Sequence, residues 1–230
     1  MNTWKNVKII SSKLISPDVK SIIVKFTNLT YKPGQCFDIR PIKYPSYRCY
    51  SIAGTTKDTL EFGIQLLPSG EISSKLFDLK DGDSIEIRGP LGNHFVLDTK
   101  TLGDVILIGG GSGVVPLISM LRLLAQKLAK NHIQILISAK TSDHILYKNE
   151  IDVFASKNQN IQAEYIFTRT NNFAKRIDKK MLSDLLAKHK THLPTFYVAG
   201  PTHFVESMKM YLLQLGFLPK QIKTEPFGDS

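Results

Sequence analysis

Cysteine is nearly absent from this chain: there are two, Cys36 and Cys49, in 230 residues. A four-cysteine zinc or iron–sulfur site is therefore excluded. The two are expected to be half-buried strand residues and not a disulfide. Long hydrophobic runs are missing as well: none approaches the roughly 20 apolar residues that a membrane-spanning helix needs. The opening Met1-Asn-Thr-Trp-Lys-Asn6 lacks the apolar core of a secretory signal. The expected location is the cytoplasm, with no membrane association. The glycine cluster Gly109 to Gly113 is not followed by Gly-Lys-Ser/Thr, which excludes a P-loop. It also lacks the third glycine of the dinucleotide fingerprint GxGxxG, because Pro116 stands in that place. No repeat or low-complexity tract occurs.

Acidic residues are in deficit, 20 against 30 basic ones, for a net charge of +10. Residues 1–99 carry +3 and residues 100–230 carry +7. Most of that excess is expected to be a solvated lysine surface. An acidic protein partner or an anionic ligand is the functional alternative. Nucleic acid is not expected as a partner, since no basic stretch is interleaved with aromatics.

Hydrophobic content is 42%, ordinary for a globular chain long enough for one large domain or two small ones. Up to about residue 98 the pattern is of short strands broken by turn residues. Val7, Ile9, Val19, Ile22, Val24 and Phe26 recur in short runs. Strands are also predicted near Ile39, at Arg48 to Gly54, at Leu60 to Leu67 and at Ser84 to Arg88, with a single helix near Ser73 to Asp78. This implies an antiparallel Greek-key β-barrel. After residue 100 strands and helices alternate: strand 105–108, helix 116–129, strand 133–138, helix 147–155, strand 163–168, helix 179–188, strand 196–199 and helix 202–215. Such alternation predicts a parallel sheet with helices on both faces. The expected domains are 1–99 and 100–230.

The stretch Val105-Ile-Leu-Ile-Gly-Gly-Gly-Ser-Gly-Val-Val-Pro116 is a buried strand, a glycine turn and a helix start. Glycines let backbone approach a phosphate, and the helix N-terminus offers unpaired N–H groups to it. The alternative is a turn that is glycine-rich for steric reasons. In Arg48-Cys-Tyr-Ser51, the guanidinium suits a pyrophosphate and the phenol suits a flat ring. Strand alternation puts Arg48 and Tyr50 on one face and Cys49 and Ser51 on the other. By themselves these four residues read as an Arg and a Tyr on a barrel surface.

Taken together, Pro33-Gly-Gln35, Arg48-x-Tyr-Ser51, Gly70-x-x-Ser73, Gly89-Pro-Leu-Gly92, Gly109-Gly-Gly-Ser-Gly113 with Pro116, Ala199-Gly-Pro201 and Glu225-Pro-Phe227 resemble the ferredoxin–NADP reductase family over nearly the whole chain. The resemblance implies a flavin-binding barrel and an NAD(P)-binding α/β domain. It implies flavin contacts at Arg48, Cys49, Tyr50, Ser51, Gly70, Ile72, Ser73, Ser74 and Phe227. It implies nicotinamide-nucleotide contacts at Gly110, Gly111, Ser112, Gly113, Lys140, Arg169, Arg176, Ala199, Gly200 and Pro201. Ser51 and Glu225 take the catalytic places, and Ala199 replaces the family's usual cysteine. No metal is implied. His94 and His203 are read as packing or solvent residues.

The implied activity is hydride transfer from NADPH or NADH to bound FAD, with electrons passing on to a separate, acidic redox-protein acceptor such as a ferredoxin or flavodoxin. FMN replaces FAD in some relatives. Arg169 and Arg176 tilt the expectation to NADPH. Two alternatives remain: a flavin reductase that releases reduced flavin, and a non-catalytic subunit that keeps the fold. The oligomeric state is not legible.

Overall fold

Two sheets organise the chain, and their strands come from separate stretches of sequence. The computed structural model describes residues 3–27, 29–98, 103–127, 131–169, 175–188 and 194–228. The first six strands are β1 (Lys5–Ser16), β2 (Val19–Lys25), β3 (Cys36–Pro41), β4 (Arg48–Thr55), β5 (Thr59–Gln65) and β6 (Ser84–Leu91), with helix α1 (Glu71–Phe77) between the last two. They close into an antiparallel barrel of order β1-β2-β5-β4-β3-β6, the predicted architecture. Alternate side chains fill it: Ile22, Val24, Phe37, Ile39, Phe62 and Ile87 are each no more than 1% exposed.

The remaining strands are β7 (Val105–Gly110), β8 (Ile133–Ala139), β9 (Ile161–Phe167), β10 (Thr195–Pro201) and β11 (Ile222–Phe227). They form a parallel sheet ordered β11-β10-β7-β8-β9. Its helices are α2 (Val114–Gln126), α3 (Lys148–Lys157), α4 (Lys179–Lys188) and α5 (Thr202–Gln214). Strand β7 shows why both faces must be covered. Val105 and Leu107 pack with α2 and α3 residues, whereas Ile106 and Ile108 pack with Leu182 and Leu185 of α4 and Val205, Met208 and Leu212 of α5. A two-sided strand is apolar throughout because neither face meets water.

The sheet core does not stop at its own domain. Val19, Ala53, Phe95 and Leu97 belong to the same hydrophobic cluster as Val114, Leu117, Ile118 and Leu121 of α2. The two halves therefore share a seam from which water is excluded. The expected boundary at 99/100 lies outside the described residues.

Two expectations need correction. Cys36 and Cys49 are joined as a disulfide, with Cα atoms 6.1 Å apart. Register explains it: Cys36 stands opposite Ser51 and Asp38 opposite Cys49, so the cysteines are diagonal neighbours on paired strands, within bonding reach. Burial follows the expectation for Cys36 only, since Cys49 is exposed. The second is β11, which the hydrophobic pattern did not mark as a strand. It is an edge strand, where Pro226 is tolerated.

Candidate functional site

Strand order places the site. From β7 the chain runs outward through β8 and β9, then returns to β10 on the other side of β7. The carboxyl ends of β7 and β10 thus flank a point where the strand order reverses, the place where open α/β sheets hold ligands. Gly109 pairs with Ala199 there. Gly113 and Gly200 are required by packing. A Cβ at Gly113 would collide with the Ala199 carbonyl, and one at Gly200, whose φ is +144°, would lie 2.8 Å from the Gly110 oxygen. Gly110 packs against Phe204. These glycines therefore bring turn and strand end together as well as exposing backbone. Gly111–Gly113 form a 3-10 turn that leads directly into α2, and the Val114 N–H donates back to the Gly111 and Ser112 carbonyls.

Between this switch point and the barrel lies a cavity of about 620 Å³. The barrel contributes Arg48, Cys49, Tyr50 and Ser51 from β4, Gln65 at the end of β5, and Gly70, Ile72 and Ser73 at the start of α1. The sheet domain contributes Ser112, Pro201, Glu225 and Phe227. All four residues of the β4 segment border it, and Tyr50 also packs against the barrel core. β4 pairs with β5 only from Ile52 onward, which leaves the Arg48–Ser51 edge open on that side.

The polar groups differ in how far they are already engaged. Arg48 is exposed and has no carboxylate partner among the described residues. Tyr50 is half-buried, and burial pushes its phenol up, against the pull of Arg48. Ser51 is 9% exposed. Ser73 donates to the Gly70 carbonyl at 2.9 Å and accepts from the Leu67 N–H at 3.3 Å, so its hydroxyl serves the turn. The first-turn amides of α1 remain the groups able to hold an anion. Ser74 is exposed and does not line the cavity.

Glu225 comes from β11, opposite Ala199. Burial raises its carboxyl above the ordinary range, and His94 opposes this. His94 Nε2 lies 2.8 Å from Glu225 Oε2. The oxygen is otherwise buried, and the nearby imidazole favours the ionised carboxylate against that burial. The sequence alone reads His94 as a packing or solvent residue, beside the Gly89–Gly92 loop. Nothing in the sequence marks Gln65, which lines the cavity from the end of β5.

Gly111 and Lys140 line a small adjoining cavity with Asp18 and His144, and Gln65 and Ser112 line both cavities. Lys140 Nζ is 3.2 Å from Asp18 Oδ2, an ion pair from sheet to barrel. Arg169 and Arg176 are exposed and line neither cavity, although the Arg169 N–H donates to the Lys140 carbonyl at 2.9 Å. They lie just beyond the carboxyl end of β9. No helix among the described residues is long and apolar enough to cross a membrane.

An exposed guanidinium, a half-buried phenol and free helix amides on one side suit a phosphorylated, flat-ringed ligand; a glycine turn at a strand switch suits a second nucleotide. Comparison with known proteins agrees. Residues 6–96 match the oxidoreductase FAD-binding domain and residues 107–210 the oxidoreductase NAD-binding domain. The flavohemoprotein of Bacillus subtilis is 30% identical over 86% of this chain and 52% of its own length. The toluate 1,2-dioxygenase electron transfer component of Pseudomonas putida is 27% identical over 98% of this chain and 66% of its own. The chain thus spans about half to two thirds of these curated relatives. Among solved structures, a ferredoxin NADP+ reductase from Neisseria gonorrhoeae with bound FAD and NADP superposes with a TM-score of 0.82 at 19% identity, covering 98% of this chain and 99% of that one.

Proposed function

Since the chain belongs to the ferredoxin reductase-like family of FAD- and NAD(P)-binding oxidoreductases, we propose that it draws reducing equivalents from a nicotinamide nucleotide and delivers them to a separate redox protein. One observation carries the reading. The motif residues of both domains, Arg48 to Ser51 on one side and Ser112, Pro201, Glu225 and Phe227 on the other, line a single cavity at the seam.

A bound flavin supplies the chemistry itself, accepting a hydride and giving up electrons singly. The chain's own residues bind and orient. Arg48 and the first-turn amides at Ile72 and Ser73 would hold its phosphates, Tyr50 and Phe227 would pack its ring, and Ser51 would hold the reacting edge. The glycine turn at Gly110–Gly113 and the Ala199–Pro201 strand end would seat the nicotinamide nucleotide. Glu225 would set the polarity there, with Ala199 offering no thiol. Lys140, Arg169 and Arg176 would meet the adenosine end and favour NADPH over NADH. We place the domain division at 99/100, between these two sets of roles.

The two cysteines of this sequence cannot hold an iron–sulfur cluster, and we assign the electrons to an acceptor outside these 230 residues. We assign it an acidic surface, on the +10 net charge. The purified protein should show a flavin spectrum, and NADPH should reduce ferricyanide through it at a saturable rate. A colourless protein that neither binds added FAD nor turns over would overturn the reading. Reduced flavin released stoichiometrically into solution would favour a flavin reductase instead.

A further inference from the structure

The Cys36–Cys49 disulfide forms part of the wall of the flavin cavity, and hydride transfer has no use for it. We propose that this bond is a site of reversible thiol–disulfide exchange, and that its redox state sets how tightly the cavity holds flavin. The proposal rests on the flavin reading above.

Placement is the first argument. On β3, Phe37 and Ile39 turn into the barrel core at 1% and 0% exposure. Cys36 is half-buried and Cys49 exposed, so the bond lies at the cavity and not in the core. An external thiolate can reach it there.

The second argument is that strand association does not depend on the bond. β3 and β4 are already paired at Cys36↔Ser51, Phe37↔Tyr50, Asp38↔Cys49 and Ile39↔Arg48. What the bond adds is a covalent restraint on the segment that carries Arg48, Tyr50 and Ser51. That segment has no β5 partner on its other side until Ile52. A strand held on one side retains freedom that it must lose when a ligand binds. A crosslink removes that freedom in advance, and preorganisation of this kind appears as affinity.

The exchange balances with an external dithiol as reductant. One of its thiolates attacks a protein sulfur, the Cys36–Cys49 bond breaks and a mixed disulfide forms. The reagent's second thiol then displaces the protein sulfur. The protein ends with two cysteine thiols, having gained two electrons and two protons, and the reagent ends as its disulfide. A ligand in the cavity covers the bond, so the coupling runs both ways. A tenfold preference of flavin for the oxidised form would make the bond tenfold harder to reduce, about 30 mV for a two-electron couple.

The test uses flavin-free protein before and after treatment with dithiothreitol, with the reagent removed without air. A chromogenic thiol titration should find no reactive thiol before treatment and two after it. The Kd for FAD, from fluorescence titration, should rise about threefold to tenfold on reduction. Circular dichroism should stay unchanged, because the strand ladder persists. Cys36→Ser and Cys49→Ser should each bind like the reduced wild type whether or not they are treated. Two thiols in untreated protein, equal Kd in both redox states, or unfolding on reduction would each overturn the proposal alone. Oxidised protein that binds no FAD at all would overturn the flavin reading, and this proposal with it.

Discussion

Arg48 differs from the other arginines of the barrel. Arg40 pairs with Glu86 at 2.9 Å and Arg88 with Asp38 at 2.7 Å, whereas Arg48 faces the cavity with no carboxylate among the described residues. A guanidinium held for a ligand should matter to that ligand and little to the fold. A charge-assisted hydrogen bond contributes roughly 1.5–3 kcal/mol, so Arg48→Ala should weaken FAD binding about tenfold or more. Fluorescence titration measures it, with Arg88→Ala as the ion-paired comparison, and an unchanged Kd would remove Arg48 from the site. Glu225 offers a pH test. Its carboxyl is raised above the ordinary 4.5 by burial, with His94 pulling it down. A raised carboxyl contributes stability that is fully present below its unfolded pKa and is lost as pH rises through the folded one. Glu225→Gln keeps the shape and cannot ionise, so the melting temperature of wild type should fall relative to this variant as pH rises above 4.5. His94→Ala should carry that change to higher pH. A difference that is flat with pH would show that the carboxyl is not desolvated.

At the scale of elements, α2 does more than follow the glycine turn. Its Arg122 donates from Nη1 to the Ala53 carbonyl at 2.9 Å and to Glu61 at 2.7 Å, both in the barrel. Its Nε and Nη2 reach Glu150 of α3 at 2.7 and 2.8 Å. Tyr147 and Ser21 also donate to Glu61, at 3.0 and 2.7 Å. Burial works against the charged guanidinium, but Glu150 and Glu61 outweigh it and hold its pKa above the ordinary value. Arg122→Met would leave two carboxylates facing one another across the seam. Breaking a buried pair costs about 3–5 kcal/mol; with the side chain 23% exposed, solvent screening lowers this to about 2–3 kcal/mol. At about 2–4 °C per kcal/mol for a chain of this size, the melting midpoint should drop by roughly 4–12 °C. Arg122→Lys should recover only part, since an ammonium lacks the planar fork that bridges both partners. An unchanged midpoint would reduce the network to surface charge. The sequence showed the helix through its apolar spacing, but nothing in that spacing marks Arg122, whose partners lie 28 and 61 residues away.

On the scale of the whole molecule, the proposed choice of nicotinamide rests on charge placed beyond β8 and β9. Lys140 is engaged by Asp18, while Arg169 and Arg176 stand exposed at that edge. If one of them pairs with a 2′-phosphate, kcat/KM should favour NADPH by roughly tenfold to a hundredfold, and Arg169→Ala should narrow the gap by slowing NADPH alone. Equal efficiencies in wild type, or an equal loss for both nucleotides, would leave these arginines as solvated charge.

Local chemistry carried most of the architecture. Period-two strands, the alternation of strand and helix after residue 100, and the Gly109–Gly113 turn were all readable, because each states a demand of backbone or burial on adjacent residues. Arg48, Tyr50 and Ser51 were readable for the same reason, as an ordered motif on one strand. The structure alone decided which distant residues meet. Register between β3 and β4 joined Cys36 to Cys49, edge pairing on β10 brought Glu225 to His94, and the seam turned Arg122 toward Glu61. Those outcomes depend on pairing and docking between segments far apart in sequence, and no local periodicity specifies them.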